Sequence, residues 1–187
     1  MDKTEEKRKK MSQPLAERLR PKTLDEYIGQ KHLIGQGAVL RKMIEAGRVP
    51  SFILWGPPGV GKTTLAHIVA EKLKAPFYTL SAISSGVKDV REVIEKAKSN
   101  RFFNTVSPIL FIDEIHRFSK SQQDSLLNAV ETGVVTLIGA TTENPSFEVI
   151  RPLLSRCQVY VLKSLGKEDL LELLHRALKE DIILKEK

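Results

Sequence analysis

The chain has 187 residues, with 30 Lys plus Arg against 23 Asp plus Glu, a formal net charge of +7. Apolar residues make up 41% and charged residues 28%, the makeup of an ordinary folded domain rather than a disordered chain. The single cysteine, Cys157, excludes an intramolecular disulfide framework and a cysteine-rich zinc module, and no apolar run reaches the roughly 18 residues of a membrane span.

In chain order, residues 1–13 read as a charged tail around Lys7-Arg8-Lys9-Lys10. It lacks the apolar stretch of a secretory signal, so a soluble, cytoplasmic protein is expected, with no membrane partner. The tail is a flexible arm, an extension upstream of a start at Met11, or an arm for nucleic acid; its charge alone does not separate these. Phe52-Ile53-Leu54-Trp55 is a short apolar run ended by Gly56 and two prolines, and Leu65, Ile68, Val69 and Leu73 then recur at helical spacing. Phe77 to Leu80 predicts a strand, and Val87 to Lys98 a helix with Val90, Val93, Ile94 and Ala97 on one face. The continuously apolar Ile109 to Ile112 predicts a strand covered on both faces. Helices over Ser121–Glu131 and Lys167–Lys179, with strands over Val134–Ala140 and Val159–Leu162, complete the pattern. Strands separated by helices predict an α/β fold with a largely parallel sheet.

Gly56-Pro57-Pro58-Gly59-Val60-Gly61-Lys62-Thr63 satisfies G-x-x-x-x-G-K-[ST] in full, between an apolar strand and an amphipathic helix, and Thr64 continues the helix start. Glycines let the backbone curl so that its N–H groups point at phosphate oxygens, and the helix presents its positive dipole end. Lys62 is then placed to reach the β- and γ-phosphates of ATP, and the Thr63 hydroxyl to complete the coordination of Mg2+. Asp113 and Glu114 follow the Ile109–Ile112 strand. The first suits magnesium held through water, the second a carboxylate that orients or deprotonates the attacking water. A kinase gains nothing from a water-activating base, so the pair favours hydrolysis. His32, His67, His116 and His175 lie far apart without metal-type spacing, and no zinc site is expected.

With these motifs the sequence resembles the AAA+ ATPases of the clamp-loader-like branch. The phosphate loop, Ile109–Glu114 and Ser155-Arg156-Cys157 match, in order, the Walker A, Walker B and arginine-finger motifs. Leu15 to Pro21, Leu24 to Gln30, Asp113 to Phe118 and Gly139 to Phe147 extend the likeness over roughly Ser12 to Lys179. The resemblance implies a P-loop NTPase core over 14–165 and, over 166–187, the truncated first helix of a helical lid. It implies that Tyr27 and Ile28 pack on adenine, that Thr142 is the sensor-1 residue (with Thr141 and Asn144 as rivals), and that Arg156 reaches the γ-phosphate held by a neighbouring subunit. Cys157 is expected to be a small buried residue and no nucleophile. Arg117 and Lys120 are a DNA-facing patch or a solvated helix start.

Implied further are ATP hydrolysis, weak in a truncated chain, within a DNA-directed machine of replication-fork maintenance and recombination. Its implied partners are forked or single-stranded DNA, further copies of itself and single-strand-binding protein, in a nucleoid-associated bacterial setting. A clamp-loader subunit and a Holliday-junction branch-migration motor are alternatives from which the Glu143-Asn144-Pro145-Ser146-Phe147 run leans away. A nucleotide-regulated binding module without turnover is the alternative of another class.

Overall fold

The computed structural model describes residues 13–82, 85–101, 106–181 and 183–184. The basic run Lys7–Lys10 of the predicted tail lies outside the described residues. Two compact units divide the chain: Gln30–Ser164 is one, and the described residues of Met1–Gly29 and Leu165–Lys187 are the other.

In the larger unit the short helices α2 (Lys31–Ile34) and α3 (Val39–Glu45) precede an alternation of strands and helices; α1 (Leu15–Arg18) belongs to the smaller unit. Strand β1 (Phe52–Trp55) leads into α4 (Lys62–Leu73), β2 (Phe77–Ser81) into α5 (Val87–Arg101), and β3 (Ile109–Asp113) into a 3-10 turn (Ile115–Arg117) and α6 (Lys120–Glu131). Then follow β4 (Thr136–Thr141), the single turns α7 (Pro145–Glu148) and α8 (Arg151–Leu154), and β5 (Gln158–Val161). The five strands are ordered β2-β3-β4-β1-β5, and every neighbouring pair is parallel.

Parallel strands need crossovers that cover both faces, and the sequence supplies the apolar surface for it. Ile53, Leu110, Ile112 and Leu137 share one core with Val90, Ile94 and Ala97 of α5 and Leu126, Ala129 and Val130 of α6. By the two-residue period of a strand, Phe52, Leu54, Phe111 and Ile138 point the other way. On that side Phe77 stacks on Phe111 with ring centroids 6.0 Å apart, and His67 of α4 tilts against Phe77 at 4.3 Å. Ile109, Leu110 and Ile112 are fully buried and Phe111 nearly so, as the unbroken apolar run predicts.

The element boundaries differ from the predicted ones where the chain turns. Val134 and Val135 are not in β4: Gly133 turns with φ 64°, the Val135 N–H donates to Ala129 O at 3.3 Å, and Val135 is buried in the connection. Two apolar residues that plug the core beneath a turn read in sequence as the start of a strand. Helix α6 begins one residue earlier than predicted because Ser119 caps it, accepting from the Gln122 N–H at 3.3 Å while the Gln122 side chain accepts from the Ser119 N–H at 2.8 Å. Helix α5 runs on to Arg101, β2 gains Ser81 by pairing with Asp113, and β5 is shifted one residue toward Gln158.

In the smaller unit, α9 (Lys167–Glu180) carries Leu170, Leu171, Leu174 and Leu178 as exposed side chains on one face. Arg18 clamps Asp181 with two hydrogen bonds, Nε to Oδ2 at 2.7 Å and Nη2 to Oδ1 at 3.0 Å. Arg176 donates to the Glu26 carbonyl at 2.8 Å. Among the described residues no helix is long and apolar enough to cross a membrane.

Candidate functional site

Strand β1 points into the loop Gly56–Gly61, and the glycines there have distinct reasons. A Cβ on Gly56 would stand 2.5 Å from the Leu162 carbonyl oxygen, so close passage beside the chain leaving β5 demands glycine. Gly59 has open space around it but sits at φ 77°, and Gly61 at φ 95°, conformations that L side chains rarely adopt. Gly61 caps α4 and brings no side-chain oxygen to that helix end. The first-turn N–H groups of a twelve-residue helix are thereby left to an external anion, which the dipole favours.

Lys62 opens α4 and is nearly buried, its ammonium donating to the Gly56 carbonyl at 2.7 Å and the Pro57 carbonyl at 2.8 Å. Burial pulls its pKa below the usual lysine value, and the charges of Glu114 and Asp113 push back. The loop lysine and both acids predicted from two separate stretches therefore meet in one electrostatic neighbourhood. Thr63 and Thr64 follow in the first turn, both half-buried.

Asp113 ends β3, half-buried, and its Oδ1 accepts the Glu114 N–H at 3.1 Å. Glu114 takes a left-handed conformation, φ 53° and ψ 48°, and starts the 3-10 turn. Its Oε2 is 3.5 Å from Thr142 Oγ1 and 3.3 Å from His116 Nδ1. The three polar residues considered after β4 part company here. Thr142 faces Glu114. Thr141 is fully buried, its Oγ1 accepting the Glu143 N–H at 3.0 Å and lying 3.0 Å from His116 Nδ1. Asn144 caps α7, accepting the Ser146 N–H at 3.0 Å. The sequence gives His116 no task, and its closeness to Glu114 arises only where the turn brings the ring back.

These residues lie where β1, β3 and β4 leave the sheet; Arg156 lies at the other end. It precedes β5, whose Gln158 pairs with Phe52 and Val161 with Trp55. At 3.3 Å per residue, about 13 Å of strand separates that turn from the phosphate loop of its own chain. Its guanidinium donates to the Pro152 carbonyl at 2.6 Å and to Ser155 Oγ at 3.1 Å, and it is ion-paired with Glu131 at the end of α6. Cys157 beside it is half-buried against the core, and burial pushes its thiol up to about 12. Burial thus favours the thiol over the reactive thiolate.

Tyr27 and Ile28 belong to the smaller unit. Tyr27 is buried, which raises its phenol pKa, and Ile28 is half-buried. Arg117 and Lys120 are exposed. Among the described residues no group of three or more His, Cys, Asp or Glu side chains could hold a metal by themselves. The donor set of Thr63 and Asp113 instead suits magnesium, which keeps several waters and takes one or two protein ligands plus phosphate oxygens.

Residues 52–165, well over half of the chain, match the ATPase family associated with various cellular activities (AAA). The chain is 54% identical over 168 residues to the replication-associated recombination protein A of Escherichia coli (strain K12), covering 90% of this chain and 37% of that protein. It is 52% identical over 171 residues to the ATPase WRNIP1 of Dictyostelium discoideum, covering 91% of this chain and 19% of that one. The solved RuvB Holliday junction branch migration motor of Thermotoga maritima superposes with a TM-score of 0.70 at 34% identity, over 86% of this chain and 54% of that chain. The chain thus spans little more than a third of the length of the Escherichia coli relative. A match of this extent, over the stretch that carries the phosphate loop, both acids and Arg156, means that the protein belongs to the AAA family of ATPases.

Proposed function

We propose that this chain binds ATP with magnesium and hydrolyses it as the motor domain of a DNA-directed machine in replication-fork maintenance and recombination. The observation that carries the reading is the convergence of Lys62, Asp113 and Glu114 beside an open helix N-terminus. The loop amides of Gly56–Gly61 and the start of α4 bind the phosphate tail. Lys62 exchanges its two carbonyl partners for phosphate oxygens. Thr63 and, through water, Asp113 would hold the magnesium ion, which supplies charge neutralisation for the phosphates. Glu114 orients the water and takes its proton as the oxygen attacks the γ-phosphorus and the bond to the β-phosphate breaks, releasing ADP and phosphate. Thr142 holds the Glu114 carboxylate, and Tyr27 and Ile28 are the residues that the family resemblance assigns to adenine.

Arg156 sits at the wrong end of the sheet to serve its own site, so it serves a second copy, offsetting charge that builds on the γ-phosphate there. Activity then rises with self-association, and the change in subunit contacts on hydrolysis alters the grip on DNA. Single-strand-binding protein and a nucleoid-associated, cytoplasmic setting fit this reading. The likeness to the Thermotoga branch migration motor suggests branch migration, but the higher identity to proteins named for replication-associated recombination favours the fork.

Phosphate release with and without forked DNA, for the wild type and Lys62→Ala, tests the proposal. The expected outcome is DNA-stimulated release that Lys62→Ala abolishes, with DNA affinity falling steeply with salt. Rates that ignore both DNA and Lys62 would refute it, and ATP binding without turnover in every assembly state would favour a nucleotide-regulated binding module.

A further inference from the structure

The histidine after the acidic pair has no task in the reaction above, and its surroundings supply one. The left-handed Glu114 begins the turn Ile115–Arg117, which folds the His116 ring back over the Glu114 side chain. The ring is largely enclosed, 13% exposed, and its Nδ1 faces two oxygens, Glu114 Oε2 at 3.3 Å and Thr141 Oγ1 at 3.0 Å. An ionised carboxylate only accepts hydrogen bonds. Thr141 Oγ1 already accepts the Glu143 N–H at 3.0 Å, and the Glu143 carbonyl at 3.2 Å can take its hydroxyl proton. Both oxygens are served when Nδ1 carries the hydrogen and shares it between them. Thr141 is fully buried and paired in register with Trp55 of the neighbouring strand, so its hydrogen bond with the ring anchors Nδ1 to the interior of the sheet, 3.3 Å from one oxygen of a half-buried carboxylate.

We propose that His116 is the positioning residue of Glu114, holding Oε2 so that Oε1 is left to receive the proton of the attacking water. The proposal rests on the hydrolysis reading and deepens it. Its test compares wild type, His116→Ala, His116→Asn and His116→Gln by steady-state ATP hydrolysis with forked DNA, by titration with a fluorescent ATP analogue, and by thermal melting. Asparagine sets an amide N–H near the place of Nδ1, whereas glutamine sets its own near Nε2. The alanine variant is expected to lose about tenfold in kcat, with KM for ATP, analogue affinity and melting temperature unchanged, and asparagine to restore most of the loss. An alanine variant with wild-type kcat, or a loss confined to KM, overturns the assignment. Should alanine melt early, the asparagine and glutamine variants decide, and equal rates for those two overturn it as well. A wild type that binds the analogue but never turns ATP over, seen before any variant is compared, brings down the hydrolysis reading and this assignment with it.

Discussion

The two ends of the parallel sheet carry the two halves of the proposed reaction. Where β1, β3 and β4 leave the sheet lie the phosphate loop with Lys62 bonded to its carbonyls, and Asp113 and Thr142 bonded to Glu114, the two acids close enough to act on the lysine's charge. Where β5 enters, Arg156 stands alone of that set, bound to Glu131 and to the carbonyl of Pro152. The first end is built from main chain and from buried or half-buried side chains fixed at the ends of core strands, so its geometry follows the fold's geometry. The second is one long side chain on an exposed turn, and its contacts are exchangeable. On the proposed reading, a chain so divided holds a receptor for phosphate at one end and, at the other, a donor of charge for a second copy.

The sharpest way to break that division is Arg156→Ala. It is expected to slow turnover by about 10³–10⁵ while ATP binding by the same chain is kept, as read by phosphate release and analogue titration. Mixing Arg156→Ala with Glu114→Gln is expected to raise turnover well above either variant alone, because an intact Glu114 then meets an intact Arg156 across a contact between copies. Mixtures no better than their components would mean that the two ends do not cooperate between chains. Glu114→Gln by itself is expected to cost about 10²–10⁴ in kcat and to leave ATP bound, trapping the assembled state that size-exclusion chromatography can detect.

Smaller effects test why the first end is rigid. Gly56→Ala forces a methyl against the Leu162 carbonyl oxygen and is expected to cost about 1–3 kcal/mol or more in urea unfolding. Gly59→Ala meets no neighbour and is charged only for its left-handed backbone, about 1–2 kcal/mol. The reverse order would show that crowding beside β5 is not what the loop is built around.

The smallest effect belongs to the other unit. Asp181, held by Arg18, has its pKa lowered to about 2. A carboxylate whose folded pKa is depressed lends stability above its unfolded pKa of about 4 and loses it as the pH falls toward the folded value. The denaturant midpoint is therefore expected to drop between about pH 4 and pH 2, and Asp181→Asn to flatten that drop while lowering the midpoint at neutral pH.

Much of the loop end was legible because its chemistry is written in consecutive residues. Gly56 to Thr63 is one unbroken motif, and Asp113-Glu114 is announced by the apolar strand before it. Three features were not legible, for different reasons. Thr141, Thr142 and Asn144 are polar neighbours at a strand end, and only the path of the backbone turns one to Glu114, buries the second and makes the third a helix cap. His116 acquires its partners through the positive φ of Glu114, a conformation that no residue-type signal demands there. Val134 and Val135 satisfy the hydrophobic pattern of a strand while lying in a turn, because the core asks for apolar volume whatever the secondary structure.

By itself, then, the sequence determined the nature of the fold and the inventory of the site: the alternation of strands and helices, a phosphate-binding loop, a pair of acids and a lone arginine. These depend on local spacing and on residue chemistry, which survive in one dimension. Strand order, and with it the placing of Arg156 at the end opposite the phosphate loop, was decided only by the tertiary structure, as was the placing of His116 Nδ1 between its hydrogen-bond partner Thr141 Oγ1 and Glu114 Oε2. Both depend on which distant segments the packed sheet brings side by side, and hydrogen bonds at 3 Å exist only after that packing is complete.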